Sequence, residues 1–278
     1  MENLNDLVDP EPQIDKAEEL RCKWSTEVGQ LWQAGPHRLA CGDCRDPDII
    51  RRLWGDGQKF RMIWCDPPYG VDYASKNELL NRSDRGNRIQ KPIANDALGP
   101  QEVSALFRDA LMQALPFATR GAACYATVPS GTLLPHFITA FNDSGFSYKH
   151  LLIWLKSHFV LGMCDYQQRH EVVLYGWLEN GPHFFVPHRG QSSVFEVDKP
   201  QVSDHHPTTK PIALIAPMIA KSSGPSEVVY DPFCGSGSTI LAAAQLKRVG
   251  FGCELDPGYL AVELERLSSL GLKPELRS

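Results

Sequence analysis

The chain reads as an α/β protein built on one doubly wound, mostly parallel sheet. Three observations predict this. Apolar runs of strand length alternate with segments whose apolar residues recur at helical spacing. Two of those runs, Phe60–Cys65 and Val228–Tyr230, stop at loops of unusual composition, Asp66-Pro67-Pro68-Tyr69 and Asp231-Pro-Phe-Cys-Gly-Ser-Gly-Ser-Thr239. The second loop also sets its glycines just before a helical stretch. Ligands of open α/β sheets gather beyond the carboxyl ends of the strands, so the two loops imply one shared site.

Residues 1–35 are polar and acid-rich (Glu2, Asp6, Asp9, Glu11, Asp15, Glu18, Glu19), and Pro10 and Pro12 break any early helix, so a mobile or loosely docked arm is expected. Arg38–Cys41 then reads as a strand, Pro47–Trp54 as a short helix and Phe60–Cys65 as the next strand, an order that calls for a parallel pair. Residues 70–100 have little periodicity, and Lys76, Arg82, Arg85, Arg88 and Lys91 slightly outnumber the acids there. A loop of that length inside a domain is functional or disordered. Gln101–Leu115 places Val103, Leu106, Phe107, Ala110, Leu111 and Ala114 on one helix face. Ala122–Val128 reads as a strand, Thr132–Asn142 as a helix and Tyr148–Trp154 as a strand. From Lys156 to Gln201 the pattern changes: histidines and aromatics mix, and only Glu171–Tyr175 reads as a core strand. Thr208–Lys221 resumes as a helix with Pro211 in its first turn. Helix Ser238–Lys247, strand Val249–Glu254 and helix Tyr259–Leu270 complete the alternation.

With 278 residues, 42% of them hydrophobic and 22% charged, the chain can bury a sizeable core and has the composition of a soluble enzyme. A net charge of −5 argues against a general nucleic-acid coat protein. It leaves a DNA enzyme open, because a local basic cleft decides phosphate contact. No run approaches membrane-spanning length and no apolar stretch follows a basic start, so no membrane partner is expected and the cytoplasm is the expected compartment. The eight cysteines are scattered, several inside predicted strands, as reduced core thiols are. Cys41-Gly-Asp-Cys44 has zinc-like spacing but no second close pair, so no metal is expected.

The first loop carries chemistry. Asp66 offers a carboxylate, Pro67 lacks an N–H but keeps its carbonyl as an acceptor, and Tyr69 supplies an aromatic face. Such a set suits a planar base with an exocyclic amine, two acceptors holding its hydrogens while the ring stacks on tyrosine. An ordinary strand end would also tolerate Asp-Pro-Pro-Tyr. Gly235 and Gly237, with Glu254 downstream, could likewise open a dinucleotide site, but the third glycine of that fingerprint is missing and the first loop would then have no task. Asp43, Asp66, Asp231 and Glu254 all fall at or just beyond predicted strand ends, and so many acids on one edge are costly without a ligand.

Together the loops resemble the motifs of amino-group DNA methyltransferases, the first their catalytic motif and the second their S-adenosylmethionine loop. The catalytic motif comes first, which is similar to the permuted β group of that family, and the resemblance runs from about Arg38 to Leu267. It implies the S-adenosylmethionine-dependent methyltransferase fold with circularly permuted motif order. Residues 36–278 would be the methyltransferase domain after the arm at 1–35, with 70–100 a mobile DNA-contacting loop and 157–201 the target-recognition region.

By the same resemblance Asp66, Pro67, Pro68 and Tyr69 are catalytic. Asp231, Phe233, Cys234, Gly235 and Gly237 hold the methionine portion of the cofactor, Glu254 takes the ribose hydroxyls, and Asp43, with Cys44 beside it, meets the adenine amine. Thr209 and Lys210, in His205-His-Pro-Thr-Thr-Lys-Pro211, would touch the cofactor carboxylate, with helix capping by Thr208 or Thr209 as the plain alternative. Lys76, Arg82, Arg85, Arg88, Lys91, His188 and Arg189 would contact DNA. Trp154-Leu-Lys156, His170-Glu171 and Leu174-Tyr-Gly176 resemble the segments framing the base pocket.

The implied reaction is methyl transfer from S-adenosylmethionine to the exocyclic N6 of adenine in duplex DNA, by direct displacement on a flipped base. Asp at the first motif position leans to adenine, whereas Ser there leans to cytosine N4. Amino-group methylation of a protein or RNA is a further alternative, though Asn-Pro-Pro-Tyr and an early cofactor loop are usual there. A catalytically silent DNA-binding regulator is opposed by the intact acids and glycines. Duplex DNA is the implied partner, and the resemblance leaves room for a homodimer and for a cognate restriction endonuclease.

Overall fold

The computed structural model describes residues 4, 6–55, 57–70, 98–160, 165–187, 190–198 and 209–277. Among these, ten strands form a single sheet: β1 (Leu31–Ala34), β2 (His37–Cys41), β3 (Phe60–Cys65), β4 (Ala118–Val128), β5 (Ser147–Val160), β6 (Gln168–Trp177), β7 (Val194–Glu196), β8 (Val228–Asp231), β9 (Val249–Glu254) and β10 (Pro274–Arg277). Their spatial order is β10-β1-β2-β9-β8-β3-β4-β6-β5-β7. The central five, β2, β9, β8, β3 and β4, are parallel, while β1 and β10 on one side and β6 on the other join antiparallel. This is the doubly wound, mostly parallel sheet that the alternation predicts. Strands buried on both faces read as nearly continuous apolar runs, and β8 is buried at all four positions.

Among the described residues seven α-helices accompany the sheet: α1 (Ala17–Trp24), α2 (Pro47–Trp54), α3 (Pro100–Ala114), α4 (Leu134–Asp143), α5 (Ile212–Ser222), α6 (Ser238–Gln245) and α7 (Pro257–Ser269). Side chains of α5, α6 and α7 pack with Met62, Trp64 and Val229 in one core cluster. Those of α2, α3 and α4 pack with Phe60, Ile63, Cys65 and Tyr230 in the other. Local chemistry explains the helix starts. Asp46 caps α2 by accepting from Asp48 N at 2.8 Å, Pro47 sits where an N–H would have no partner anyway, and Ile50, Leu53 and Trp54 are buried. Trp54 stacks on Phe117 with ring centres 5.1 Å apart, seating α2 under the sheet.

Chain order reverses between β8 and β3. The β8–α6–β9 connection winds to one side of that pair and β3–α3–β4 to the other, so the crevice between their carboxyl ends is the topological switch point. The two loops singled out in the sequence end these two neighbouring strands.

Three expectations are corrected. Residues 1–35 are not loosely attached where described. Α1 packs on α7 through Ala17, Leu20, Ala261 and Val262, and Leu31–Ala34 is a strand paired between β2 and β10. Pro10 and Pro12 precede α1 and so do not prevent it. Second, α5 starts after Pro211 and does not include it, because Pro211 is its cap residue and has extended backbone; Thr208 lies outside the described residues. Third, β5 and β6 extend regular structure into the stretch expected to be irregular, pairing from Ser147↔Trp177 out to Val160↔Gln168. No described helix is long and apolar enough to cross a membrane.

Candidate active site

A cavity of about 210 Å³ opens at the switch point, lined by Asp66, Pro67, Pro68 and Tyr69 from the first loop and Asp231, Phe233, Cys234 and Gly235 from the second. Asp43, Cys44, Glu254, Thr209 and Lys210 line it too. Residues scattered along the chain thus meet because β2, β9, β8 and β3 are neighbours and all end on one edge. Gly237 does not line the cavity. Its φ is +84° and a Cβ there would lie 2.4 Å from Glu263 Cγ, so the closeness it permits is to α7. Gly235, at φ +54°, would meet only the Phe233 carbonyl, at 4.0 Å.

Asp66 is held from three sides. Its Oδ1 accepts from the Thr127 hydroxyl, a short contact across to β4, and from Tyr69 OH at 3.1 Å. Its Oδ2 accepts from Lys210 Nζ at 2.6 Å. The same ammonium stands 3.4 Å from Glu171 Oε2 and 5.5 Å from the centre of the Tyr69 ring. Glu171 in turn pairs with Lys156. Lys210, read from sequence as a cofactor contact, is therefore bonded to the first loop. Sequence reasoning assigned no role to Thr127 and named Glu171 and Lys156 only as parts of framing segments. A charged residue inside the apolar run of β6 was the available signal for Glu171, whereas a threonine in β4 gives none.

The second loop is bonded inward. Asp231 accepts from Phe233 N at 3.0 Å and from the Thr239 hydroxyl at 2.5 Å. Glu254 accepts from Gly235 N at 2.8 Å and from Asp256 N at 2.8 Å, which ties the glycine loop to the end of β9. Burial pushes the carboxyls of Asp231 and Glu254 up to about 7, and nearby acids add to it. Asp43 faces a different setting: Arg45 grips it at 2.7 Å and holds it below the ordinary carboxylate range. Cys44 and Cys234 are buried, which raises their thiols, and Cys234 donates to Glu263 Oε2 at 3.1 Å. Cys65 is fully buried and its thiol is raised well above the usual range, so it is no nucleophile.

Among the described residues six acids line the cavity (Asp43, Asp66, Glu171, Asp231, Glu254 and Asp256) against one lining cation, Lys210. An anionic pyrophosphate would be repelled there. A ligand carrying positive charge would relieve the cost of the desolvated Asp231 and Glu254 carboxyls. Lys76, Arg82, Arg85, Arg88, Lys91, His188 and Arg189 lie outside the described residues.

The N6_N4_Mtase family model, described as DNA methylase, matches residues 185–265. YubD of Escherichia coli (strain K12), which carries methylase in its name, is 26% identical over 240 residues, spanning 84% of this chain and 91% of that one. The crystal structure of the M1.HpyAVI complex with SAM matches with a TM-score of 0.60 at 21% identity, over 82% of this chain and 98% of that one. The cytosine-N4-specific PvuII DNA methyltransferase matches with a TM-score of 0.63 at 14% identity, over 83% and 86%. At these identities the structural likeness is one of fold.

Proposed function

We propose that this chain, which the family match and its relatives support as an amino-group DNA methyltransferase, methylates the exocyclic N6 of adenine in duplex DNA. The observation that carries the reading is the pairing of the Asp66 to Tyr69 loop with the acid-lined Asp231 and Glu254 loop across one cavity. Likeness to a SAM complex supports S-adenosylmethionine as the cofactor, and the donor set fits it. In this reading Glu254 takes the ribose hydroxyls, Asp231 and the Phe233 to Gly235 stretch meet the methionine portion, and Asp43 meets the purine amine; all of these residues line the cavity. When bound, the cofactor supplies an electrophilic methyl group on a sulfonium.

The chain's own residues prepare the nucleophile. An exocyclic amine conjugated with its ring is a poor nucleophile. The Asp66 carboxylate and the Pro67 carbonyl accept its hydrogens and turn its lone pair toward the methyl group. No covalent enzyme intermediate is needed. Tyr69 stacks on the flipped base, an interaction worth about 1–3 kcal/mol. Thr127 and Lys210 hold Asp66 in place for that task.

Cytosine N4 is the second reading, favoured by the likeness to a cytosine-N4-specific enzyme and by a pocket chemistry that either amine satisfies. Asp as the first motif residue tilts the choice to adenine. The stretch 70–100 and the 157–201 region are proposed for DNA contact and target recognition, and a role in restriction-modification accords with this reading. The test is to treat mixed-sequence duplex DNA with the protein and methyl-labelled S-adenosylmethionine, digest to nucleosides and read the product by mass spectrometry. N6-methyladenine is expected. N4-methylcytosine alone overturns the base, and C5-methylcytosine overturns the mechanism.

A further inference from the structure

Asp9 does not line the cavity, yet it bonds to two elements that do. Its Oδ2 accepts from the backbone N of Ile212 at 3.0 Å, the first residue of α5, immediately after Thr209, Lys210 and Pro211. That bond gives an acceptor to a helix-start N–H that the cap residue Pro211 has no side chain to satisfy. Its Oδ1 accepts from Arg266 Nη2 at 2.7 Å. Arg266 extends its other nitrogen to the cofactor loop, donating from Nη1 to the Ser236 carbonyl at 2.5 Å, with Ser236 Oγ at 3.2 Å and Ser238 Oγ at 3.3 Å. Ser236 and Ser238 line the cavity.

The arrangement is costly unless complete. The Arg266 side chain is 2% exposed, and a buried guanidinium needs a charged partner and filled donors. Glu263, one turn earlier on α7, is pushed up to about 8 by burial, and its Oε2 accepts from the Cys234 thiol at 3.1 Å. Asp9 is left as the carboxylate hydrogen-bonded to Arg266, and the Pro10 carbonyl takes its Nε at 2.9 Å. The segment is pinned on its other side by Gln245 of α6, which both donates to and accepts from the backbone of Val8.

We infer that Asp9 is a positioning residue for methyl transfer, joining the Thr209-Lys210 segment to the 235–237 loop so that both sides of the cofactor site keep one spacing. The inference rests on the reading of the cavity as an S-adenosylmethionine site. Lys210 stands two residues before Ile212 and donates to Asp66, so the same residue bears on Asp66 through one further hydrogen bond.

The test compares Asp9→Ala, the double variant Asp9→Ala with Arg266→Met, and Lys23→Ala. Lys23 lies on α1 and pairs with Glu265 at the surface, so its loss loosens the same region without touching the site. Calorimetry with S-adenosylmethionine should show affinity reduced about tenfold or more in Asp9→Ala, the size expected for one charged hydrogen bond, and unchanged in Lys23→Ala. The KM for S-adenosylmethionine should rise while the KM for DNA stays. The double variant leaves no unpaired buried charge, keeps the fold if Asp9→Ala does not, and should still bind cofactor weakly. Hydrogen exchange without any ligand should accelerate at Ser236 to Thr239 and at Ile212 in Asp9→Ala or the double variant, but not in Lys23→Ala. Wild-type affinity and unchanged exchange in a folded Asp9 variant overturn the inference. Altered exchange in a chain whose unsubstituted form takes no S-adenosylmethionine overturns the functional reading and leaves the positioning role standing.

Discussion

Lys210 Nζ lies 2.6 Å from Asp66 Oδ2, so the segment leading into α5 grips the first residue of the loop that ends β3. The two are 144 positions apart in the chain. Their ion pair, 10% and 23% exposed at the side chains, is sheltered enough to orient the carboxylate.

From that pair follows a split in kinetic effects. Asp66→Ala should retain cofactor affinity and lose turnover by about 10²-fold or more, since its interaction grows as the amine gains positive charge. Lys210→Met should lower kcat by about tenfold or more, with a smaller change in the KM for S-adenosylmethionine. Steady-state kinetics with both substrates decides. A Lys210 variant that changes only the cofactor KM would place its task on the cofactor and not on Asp66.

Gly235 and Gly237 should respond oppositely. Gly237→Val drives a side chain into Glu263, where even a Cβ would sit 2.4 Å from Cγ, and should destabilise the fold by several kcal/mol, about 3 or more. Gly235→Val meets no close protein atom and should leave a folded chain with only about 1–3 kcal/mol of backbone strain, while its side chain obstructs the cavity and abolishes S-adenosylmethionine binding. Thermal unfolding with calorimetry separates the two. Normal cofactor binding by Gly235→Val would remove this loop from the site.

Asp231 and Glu254, raised to about 7, and Glu263, raised to about 8, carry protons in the folded chain that they lack when unfolded. Between about pH 4 and pH 8 the folded state therefore binds more protons, and the stability of the cofactor-free protein falls as pH rises through that window. The contribution is fully present below the unfolded values, near 4, and is gone above about 8. Thermal midpoints measured from pH 5 to 8 should decline, and Glu254→Gln should flatten the decline. An equal slope in that variant would assign the dependence to other groups.

The cations between positions 76 and 91 should act through phosphates if that stretch contacts DNA as proposed. Replacing Arg82, Arg85 and Arg88 with Ala should weaken binding to specific and random duplexes alike, and should reduce the salt dependence by up to about three phosphate contacts. Fluorescence anisotropy at several salt concentrations measures the slope. An unchanged slope would remove these cations from the DNA contact.

The sequence by itself determined whatever depends on neighbours in the chain. Asp66 to Tyr69 and Asp231 to Gly235 are consecutive residues whose chemistry is complete locally, and each follows a run apolar enough to be a buried strand. For the same reason Pro47–Trp54 was legible as a helix down to its ends, since Asp46 and Pro47 write its cap. Glu254 was legible because it ends such a run. What only the tertiary structure decided are the bonds between distant polar groups. Nothing near Thr127 or Glu171 says that one will meet Asp66 and the other Lys210, and nothing in the acid-rich opening of the chain says that Asp9 will meet Arg266, 257 positions away. A run of acids and prolines reads as solvated because a surface charge costs little. Whether one of those acids is instead drawn against a buried arginine depends on which surfaces the fold brings together, and no local pattern encodes that.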